Sequence, residues 1–234
     1  MDINVANENV AQDVSNVSTK KYKEVLTNKK PYKIIKRIID VLGSIVGIVI
    51  LIPLVIGIAV AKLILKDKGP IMYTQNRIGK DGKIFKMYKF RSMVVGADEI
   101  LETYLAENED ARKEYKINKK LKDDPRITKI GKFIRKTSID EFPQFINVIK
   151  GEMSLVGPRP YLQREITDIG DYYPYIVAVK PGITGLWQVS GRNDVTFEQR
   201  LELDKEYYEK RNSKMDFVIL VKTAFKVFDR EGAI

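Results

Sequence analysis

The sequence predicts a helix-rich protein with one short β-hairpin, built as a single soluble domain carried on a membrane-inserted helix. Three observations predict it: 21 consecutive uncharged, mostly aliphatic residues from Val41 to Ala61, an Asp81-Gly82 turn between two strand-prone runs, and later stretches whose apolar residues recur at helical spacing. With 234 residues, 44% hydrophobic and 31% charged, the chain can bury a core of ordinary size. The expected divisions are a flexible polar lead-in over residues 1–30, a membrane helix over 31–66 and a soluble domain over 67–234.

The chain has no cysteine and no histidine. That excludes disulfides, thiolate zinc sites, Cys or His nucleophiles and any Ser-His-Asp triad, and leaves carboxylates, lysine, tyrosine and hydroxyls to do chemistry. An all-oxygen donor set would favour a hard ion such as magnesium or manganese. The net charge of +10 points to nucleic acid, an anionic membrane surface or phosphorylated substrates. After residue 66, however, 26 acids are interspersed with 31 bases, which breaks up any stripe that could track a nucleic-acid backbone, so nucleic acid is not an expected partner.

The 21-residue apolar run would be about 31 Å long as a helix, close to the thickness of a bilayer core. Lys29, Lys30, Lys33, Lys36 and Arg37 precede it, and Lys62, Lys66, Lys68, Arg77 and Lys80 follow. Positive charge marks the cytoplasmic side of a membrane, so a full crossing would put one basic flank on the wrong side. Pro53 lies near the middle of the run and cannot donate to the carbonyl of Val49, so a break is expected there. A helix that enters, bends at Pro53 and returns satisfies both flanks, with a tilted span as the alternative.

Residues 71–90 read as a β-hairpin around Asp81-Gly82. The stretch from Ala97 to Lys120 reads as one solvated amphipathic helix. Ser138-Ile139-Asp140-Glu141 fits a capping box at the start of a helix carrying Phe142, Phe145, Ile146 and Ile149. That would place Asp140 and Glu141 where free N–H groups favour a carboxylate or a bound phosphate, although plain capping needs the same residues. In Gly157-Pro158-Arg159-Pro160, two prolines restrict the backbone around an arginine suited to bidentate phosphate binding, with a Pro-rich turn carrying a surface arginine as the alternative. The glycines between Lys180 and Arg192 could offer bare N–H groups to a pyrophosphate or nucleotide. Thr196-x-x-Gln199 is a second capping-box pattern, opening a helix with Phe197, Leu201, Asp204 and Tyr208 on one face. A last helix, with Asp216 as its cap, is expected to turn Phe217, Leu220, Val221, Ala224, Phe225 and Phe228 to the core, with the headgroup region of a membrane as the alternative.

Seven blocks in one order resemble the monotopic bacterial sugar transferases, the phosphoglycosyl transferases of exopolysaccharide and capsule initiation. They are Arg37 with Asp40, Gln75-Asn76-Arg77-Ile78-Gly79, Lys89-Phe90-Arg91-Ser92-Met93, Asp124-Pro125-Arg126-Ile127-Thr128, the run from Arg135 to Gln144, Gly157-Pro158-Arg159-Pro160, and Lys180 to Gly185. The similarity covers about residues 33 to 229. It implies a helix-rich α+β cytoplasmic domain on a Pro-broken re-entrant helix, at the cytoplasmic face of the bacterial plasma membrane. It also implies transfer of a sugar 1-phosphate from a UDP-sugar to undecaprenyl or another polyprenyl phosphate, with release of UMP, as the first step of glycan repeat assembly.

In the reaction that the resemblance implies, Asp140 is the nucleophile and forms a covalent phospho-sugar, and Glu141 assists as metal ligand or by positioning the acceptor. Lys89, Arg91, Arg135, Arg159 and Arg192 are the candidate substrate-binding cations, and Mg2+, with Mn2+ as its substitute, would be held by Asp140 and Glu141. The implied partners are the UDP-sugar, the polyprenyl phosphate and membrane lipids, with homo-oligomer formation left open. Family members often carry Ser before the helix-breaking proline, whereas this chain has Ile52, so a hydroxyl that could steady the kink is missing. The chain resembles the small, single-module form of the family, without the multi-span N-terminal domain of larger relatives. The block from Leu186 to Asn193 is more similar to the hexose-1-phosphate transferases, which suggests glucose or galactose.

Overall fold

The structure, a computed structural model, describes residues 30–67, 69–119, 121–191 and 195–229. The lead-in expected over residues 1–30 lies, up to residue 29, outside them, as does Arg192.

Helix α1 (Lys30–Ile64) contains the whole apolar run and is the one described helix long and apolar enough to cross a membrane. It continues through Pro53, so the helix is not interrupted where a break was expected. Proline removes one donor, that for the Val49 carbonyl, while Leu51 on one side of it and Leu54 and Val55 on the other pack against the domain. Asp40, Ser44, Leu51, Ile58 and Lys62 are buried along one helical stripe, while Leu42, Val46, Val49, Ile56 and Val60 lie exposed on the other side.

That stripe is docked on the domain from end to end. Tyr32 and Lys36 donate to Asp216 (2.9 Å each), and Arg37 donates to the carbonyls of Val148 and Ile149 (2.7 and 2.9 Å). Asp40 accepts from Ser154 Oγ and Leu155 N–H at 2.9 and 2.8 Å. Leu51 and Ile58 pack with Phe90, Ile130 and Ile134, and Lys62 meets Asp67 at 2.8 Å.

The hairpin forms as expected: β1 (Met72–Ile78) pairs antiparallel with β2 (Ile84–Phe90), and Asp81 sits in the turn at φ 59°. The long helix expected over Ala97–Lys120 is instead two, α2 (Ala97–Glu107) and α3 (Glu109–Asn118). The cause is Asn108, extended in backbone, whose side chain accepts from Ala111 N–H and caps α3. Next come α4 (Lys129–Lys136), α5 (Gln144–Lys150) and β3 (Ser154–Val156), then short helical turns over 163–177 and β4 (Gly182–Thr184), which pairs parallel with β3. This second small sheet was not expected from sequence. It is followed by α6 (Leu186–Ser190), α7 (Phe197–Lys210) and α8 (Ser213–Asp229).

The Thr196–Gln199 capping box is present at α7, and Phe197, Leu201, Asp204 and Tyr208 share its buried face. Helix α8 differs from expectation. Asn212, not Asp216, accepts from the backbone N–H of Met215 at its start. Asp216, Ile219, Leu220 and Thr223 turn inward, leaving Phe217 and Phe225 about two-thirds exposed (66% and 65%). Polar anchors decide this rotation: Asp216 takes three donors, and Thr223 Oγ1 shares a 2.7 Å hydrogen bond with Thr184 Oγ1. The main core joins hairpin residues Phe85 and Met87 to Val148, Met153, Val156, Tyr207 and Ile219.

Candidate active site

The hairpin and the segment around α4 and α5 meet at Lys89 and the Asp140-Glu141 pair. Phe85, Met87 and Lys89 alternate onto one face of β2; the first two are in the core, and Lys89 lies where that face leaves it. Its ammonium is 3.2 Å from Glu141 Oε1 and 3.7 Å from Asp140 Oδ2.

Thr128 caps α4 by accepting from Gly131 N–H at 2.9 Å, and Ile130 and Ile134 bury one face of this helix. Arg135 in its last turn donates from Nε to Ser92 Oγ at 2.8 Å, just beyond the end of β2. The chain then turns at Ser138, whose φ of 55° is left-handed, and Ile139–Glu141 form a single 3-10 turn. The capping box expected at Ser138-x-x-Glu141 is not made, because a residue in that conformation cannot present its side chain as a cap; α5 begins only at Gln144, after Pro143. Asp140 is thus held by a turn and its neighbours, not by a helix N-terminus.

The Asp140 side chain is 14% exposed. Burial pushes its carboxyl above the ordinary carboxylate range; Lys89 opposes this, Glu141 adds to it, and Arg135 opposes it more weakly. Burial likewise lowers the Arg135 guanidinium, against the opposing charges of Asp140 and Asp124. Lys89, Arg135, Asp140 and Glu141 are therefore brought together as the sequence suggested.

Asn147 completes this site and was missed in the sequence. Fully buried on α5, it accepts from Tyr88 N–H (3.0 Å) and donates to the Lys86 carbonyl (2.8 Å), fixing the strand that carries Lys89 to the helix that follows the acidic pair. Its only sequence signal is a polar residue amid the apolar positions of that helix.

Arg91 is placed elsewhere: it is buried, its Nη2 is 2.5 Å from Asp67, and that carboxylate also meets Lys62 at the end of α1. The glycines after Lys180 are also used differently. Gly182 N–H donates to the Pro158 carbonyl and Gly157 N–H to the Thr184 carbonyl, so these groups close the β3–β4 pair in place of a ligand cradle. A Cβ on Gly182 would lie 2.1 Å from Gly157 N, which is why the approach needs glycine.

Arg159 belongs to a second cationic cluster, with Arg200 beside the buried Asp204 and Arg77 on its other side. Its guanidinium lies over the rings of Tyr161 and Trp187, 5.9 and 5.7 Å from their centres, and its Nε is buried without a hydrogen-bond partner. Burial, then Arg159, lowers Arg77 and Arg200 to about 10 each. Asp204 accepts from Tyr161 Oη (2.8 Å) and Arg159 N–H (3.1 Å), yet burial raises its carboxyl to about 7.

The folded state therefore holds the Asp204 proton more tightly than the unfolded chain, whose value lies near 3.8. This group's contribution is most favourable below that value and is lost as pH rises through about 7, by up to about 4 kcal/mol. Asp204→Asn keeps an acceptor oxygen but no titrating proton. Melting temperatures followed from pH 4.5 to 7.5 should fall more steeply for the unmodified protein than for the variant; parallel profiles would contradict the assignment.

Among the described residues no group of three or more acidic side chains could hold a metal. Asp140 and Glu141 still offer two adjacent carboxylates, the donor number used by a magnesium ion that shares substrate phosphate oxygens.

The family model for bacterial sugar transferases matches residues 31–230. The chain is 46% identical over 205 residues to the undecaprenyl-phosphate galactose phosphotransferase of Salmonella typhimurium, covering 88% of this chain and 43% of that protein. It is 42% identical to the exopolysaccharide production protein ExoY of Rhizobium meliloti, covering 80% of this chain and 83% of that protein. It is 36% identical to the UDP-glucose:undecaprenyl-phosphate glucose-1-phosphate transferase of Escherichia coli, over 86% of this chain and 42% of that protein. The chain thus spans less than half the length of the Salmonella and Escherichia relatives. A family match across nearly the whole described region, joined to the site at Asp140, identifies the chain as a member of the bacterial sugar transferase family.

Proposed function

We propose that this protein is a phosphoglycosyl transferase that moves a sugar 1-phosphate from a UDP-sugar to undecaprenyl or a similar polyprenyl phosphate. The observation that carries this reading is a mostly buried carboxylate, Asp140, set between Lys89 and Arg135 and beside Glu141. A carboxylate nucleophile for phosphoryl transfer must be ionised and must meet a phosphate whose charge is neutralised by fixed cations; burial works against ionisation of Asp140, and Lys89 and Arg135 work for it. An Asp140 oxygen forms a bond to the β-phosphorus, the bond from that phosphorus to the bridging oxygen breaks, and its electron pair leaves with UMP. An oxygen of the polyprenyl phosphate then attacks the same phosphorus, and the Asp140 carboxylate departs.

Lys89 and Arg135 stabilise the charge that develops on the phosphoryl oxygens, and Arg159, in the separate cluster at Asp204, has an unsatisfied Nε to offer another part of the donor's diphosphate. Glu141 holds Lys89 in place and orients the acceptor. Magnesium or manganese held by Asp140 and Glu141 would supply further positive charge at the diphosphate.

Helix α1 lays its exposed apolar side in the cytoplasmic leaflet with both of its ends on the same face; the chain stays helical through Pro53, which removes one backbone hydrogen bond and so lets the helix curve there without a break. Contacts from both ends of α1 to one domain support this, as do the basic flanks. The names of the relatives support galactose or glucose as the sugar and initiation of exopolysaccharide or capsule repeats as the role. UMP release from a panel of UDP-sugars, with membrane-bound protein and polyprenyl phosphate, tests the reading; release from none of them would overturn it.

Arg135 depends on a close approach of α4 to the end of β2. A Cβ on Gly131 would lie 1.8 Å from the Ser92 carbonyl oxygen, so Gly131→Ala must push the helix away. Overpacking of this kind costs about 1–3 kcal/mol. A melting temperature several degrees lower is expected, together with a UMP-release kcat/KM reduced about tenfold or more as Arg135 leaves Ser92. Unchanged kinetics would show that Arg135 needs no such placement.

A further inference from the structure

A polar groove of about 450 Å³ runs along β1, between the hairpin and residues 162–164, and none of the groups assigned above lies in it. Its walls include Tyr73, Gln75 and Asn76 on one side, Gln163 and Arg164 on the other, and Asp98 from the start of α2. The volume is that of a small-molecule site.

The hairpin register places this groove against the candidate active site. Tyr73 is the direct cross-strand partner of Lys89. Directly opposed residues of an antiparallel pair share a face, with Cβ atoms about 5 Å apart. One wall therefore begins one strand away from the ammonium that contacts Asp140 and Glu141. The other wall follows Arg159 in the chain, and two contacts join the walls at one end: Ile78 N–H to the Tyr161 carbonyl and Arg77 Nη1 to the Pro160 carbonyl, both 2.9 Å. The groove is thus flanked by the two cationic clusters without belonging to either.

Its own chemistry is neutral. Arg164 lies 3.7 Å from Asp98, so the two charges of the lining offset each other, and what remains, apart from Leu162, are amides and hydroxyls. Such a surface has little to offer a phosphate. It matches a polyhydroxylated ring, whose hydroxyls both donate and accept and whose C–H face packs on an aromatic side chain.

We propose that this groove is the subsite for the sugar ring of the donor, with Asp98 and Gln163 reading its hydroxyls and Tyr73 supporting the ring. The proposal rests on the phosphoglycosyl transferase reading above. A site built to hydrogen-bond a hydroxyl discriminates strongly against the epimer that misplaces it, because a polar group is then left unpaired.

Gln163→Ala and Asp98→Asn test it; both side chains are exposed, so the fold does not depend on them. UMP release would be measured with UDP-galactose and UDP-glucose for the full chain in membranes, together with inhibition by UDP, which has no sugar. At least one variant should change the galactose-to-glucose ratio of kcat/KM by tenfold or more, mainly through KM, while inhibition by UDP stays within twofold. An active unmodified protein whose ratio neither variant alters would overturn the subsite alone. Loss of UDP inhibition in step with turnover would also overturn it, by placing the nucleotide in the groove. No turnover of any UDP-hexose by the unmodified protein would overturn the reaction assignment and the subsite with it.

Discussion

Asp140→Asn is expected to abolish both UMP release and covalent labelling by sugar phosphate, while the protein still folds and binds membranes. Asparagine keeps the shape of the side chain in its turn and can still accept a hydrogen bond, but a neutral amide oxygen is a poor nucleophile toward phosphorus. Losing the nucleophile of a covalent mechanism typically costs on the order of 10⁴-fold or more in rate. Lys89 keeps Glu141 at 3.2 Å, so the substitution does not strand a cation. Burial already disfavours charge at Asp140, so a neutral replacement should leave the melting temperature unchanged or slightly higher. Incubation with a UDP-sugar labelled in the sugar, without acceptor, followed by denaturation and detection of protein-bound label, reads the covalent step directly. Label retained on the Asn variant would assign the nucleophile to another residue.

Asp216→Ala is expected to produce the largest loss of stability. Three groups donate to this buried carboxylate: Tyr32 and Lys36 from α1 and Tyr207 from α7, at 2.9, 2.9 and 2.7 Å. Removing the anion takes the counter-ion from the Lys36 ammonium and one acceptor from each tyrosine hydroxyl, leaving Lys36 and Tyr207 to share the Val156 carbonyl, and breaking a buried ion pair from one side costs about 3–5 kcal/mol. For a domain of this size that corresponds to a fall in melting temperature on the order of 10 °C. Adding Lys36→Met should recover part of the loss, since no uncompensated charge then remains. Thermal unfolding in detergent, followed by circular dichroism, decides the matter; a single variant that melts with the unmodified protein would show that the cluster is not coupled to folding. Lys36 also donates to the Val156 carbonyl at 2.8 Å, just ahead of Gly157 and Arg159, so the damage should reach the second cationic cluster.

What the sequence revealed and what it hid follow from the range of the interactions involved. The Asp81-Gly82 turn and the Thr196–Gln199 box are set by residues within four positions of one another, and both form as read. The site at Asp140 was legible through a resemblance spread over seven blocks, because Lys89 and Arg135 approach it from separate elements. Where long-range contacts decided, local patterns misled. Ser138 looked like a cap, but the chain must reverse there to bring Asp140 to Lys89, and the left-handed turn that does so uses up the residue. The apolar periodicity of α8 suggested Phe217, Leu220 and Phe225 as core; Leu220 does pack inward, but Tyr32, Lys36 and Thr184, all distant in the sequence, fix a rotation that leaves Phe217 and Phe225 outside. Arg91 looked like a substrate cation because its motif is shared with Lys89, but β2 ends at Phe90, and beyond the strand Arg91 is drawn to Asp67, just past the end of α1 and distant in the sequence.

The docking of α1 along its whole length has a practical corollary for anyone wishing to study catalysis away from lipid. The helix is not a leash from which the rest can be cut. Its inner stripe roofs over Phe90, Ile130 and Ile134, and its polar residues satisfy the carbonyls of Val148 and Ile149 and the N–H of Leu155. Cleaving it off would uncover an apolar surface beside the Asp140 turn and orphan the hydrogen bonds that end α5 and begin the β3–β4 sheet. The smallest piece that can hold the Asp140 turn and its neighbours together is therefore itself amphiphilic, and shortening the chain to remove its apolar face would also remove what supports that turn.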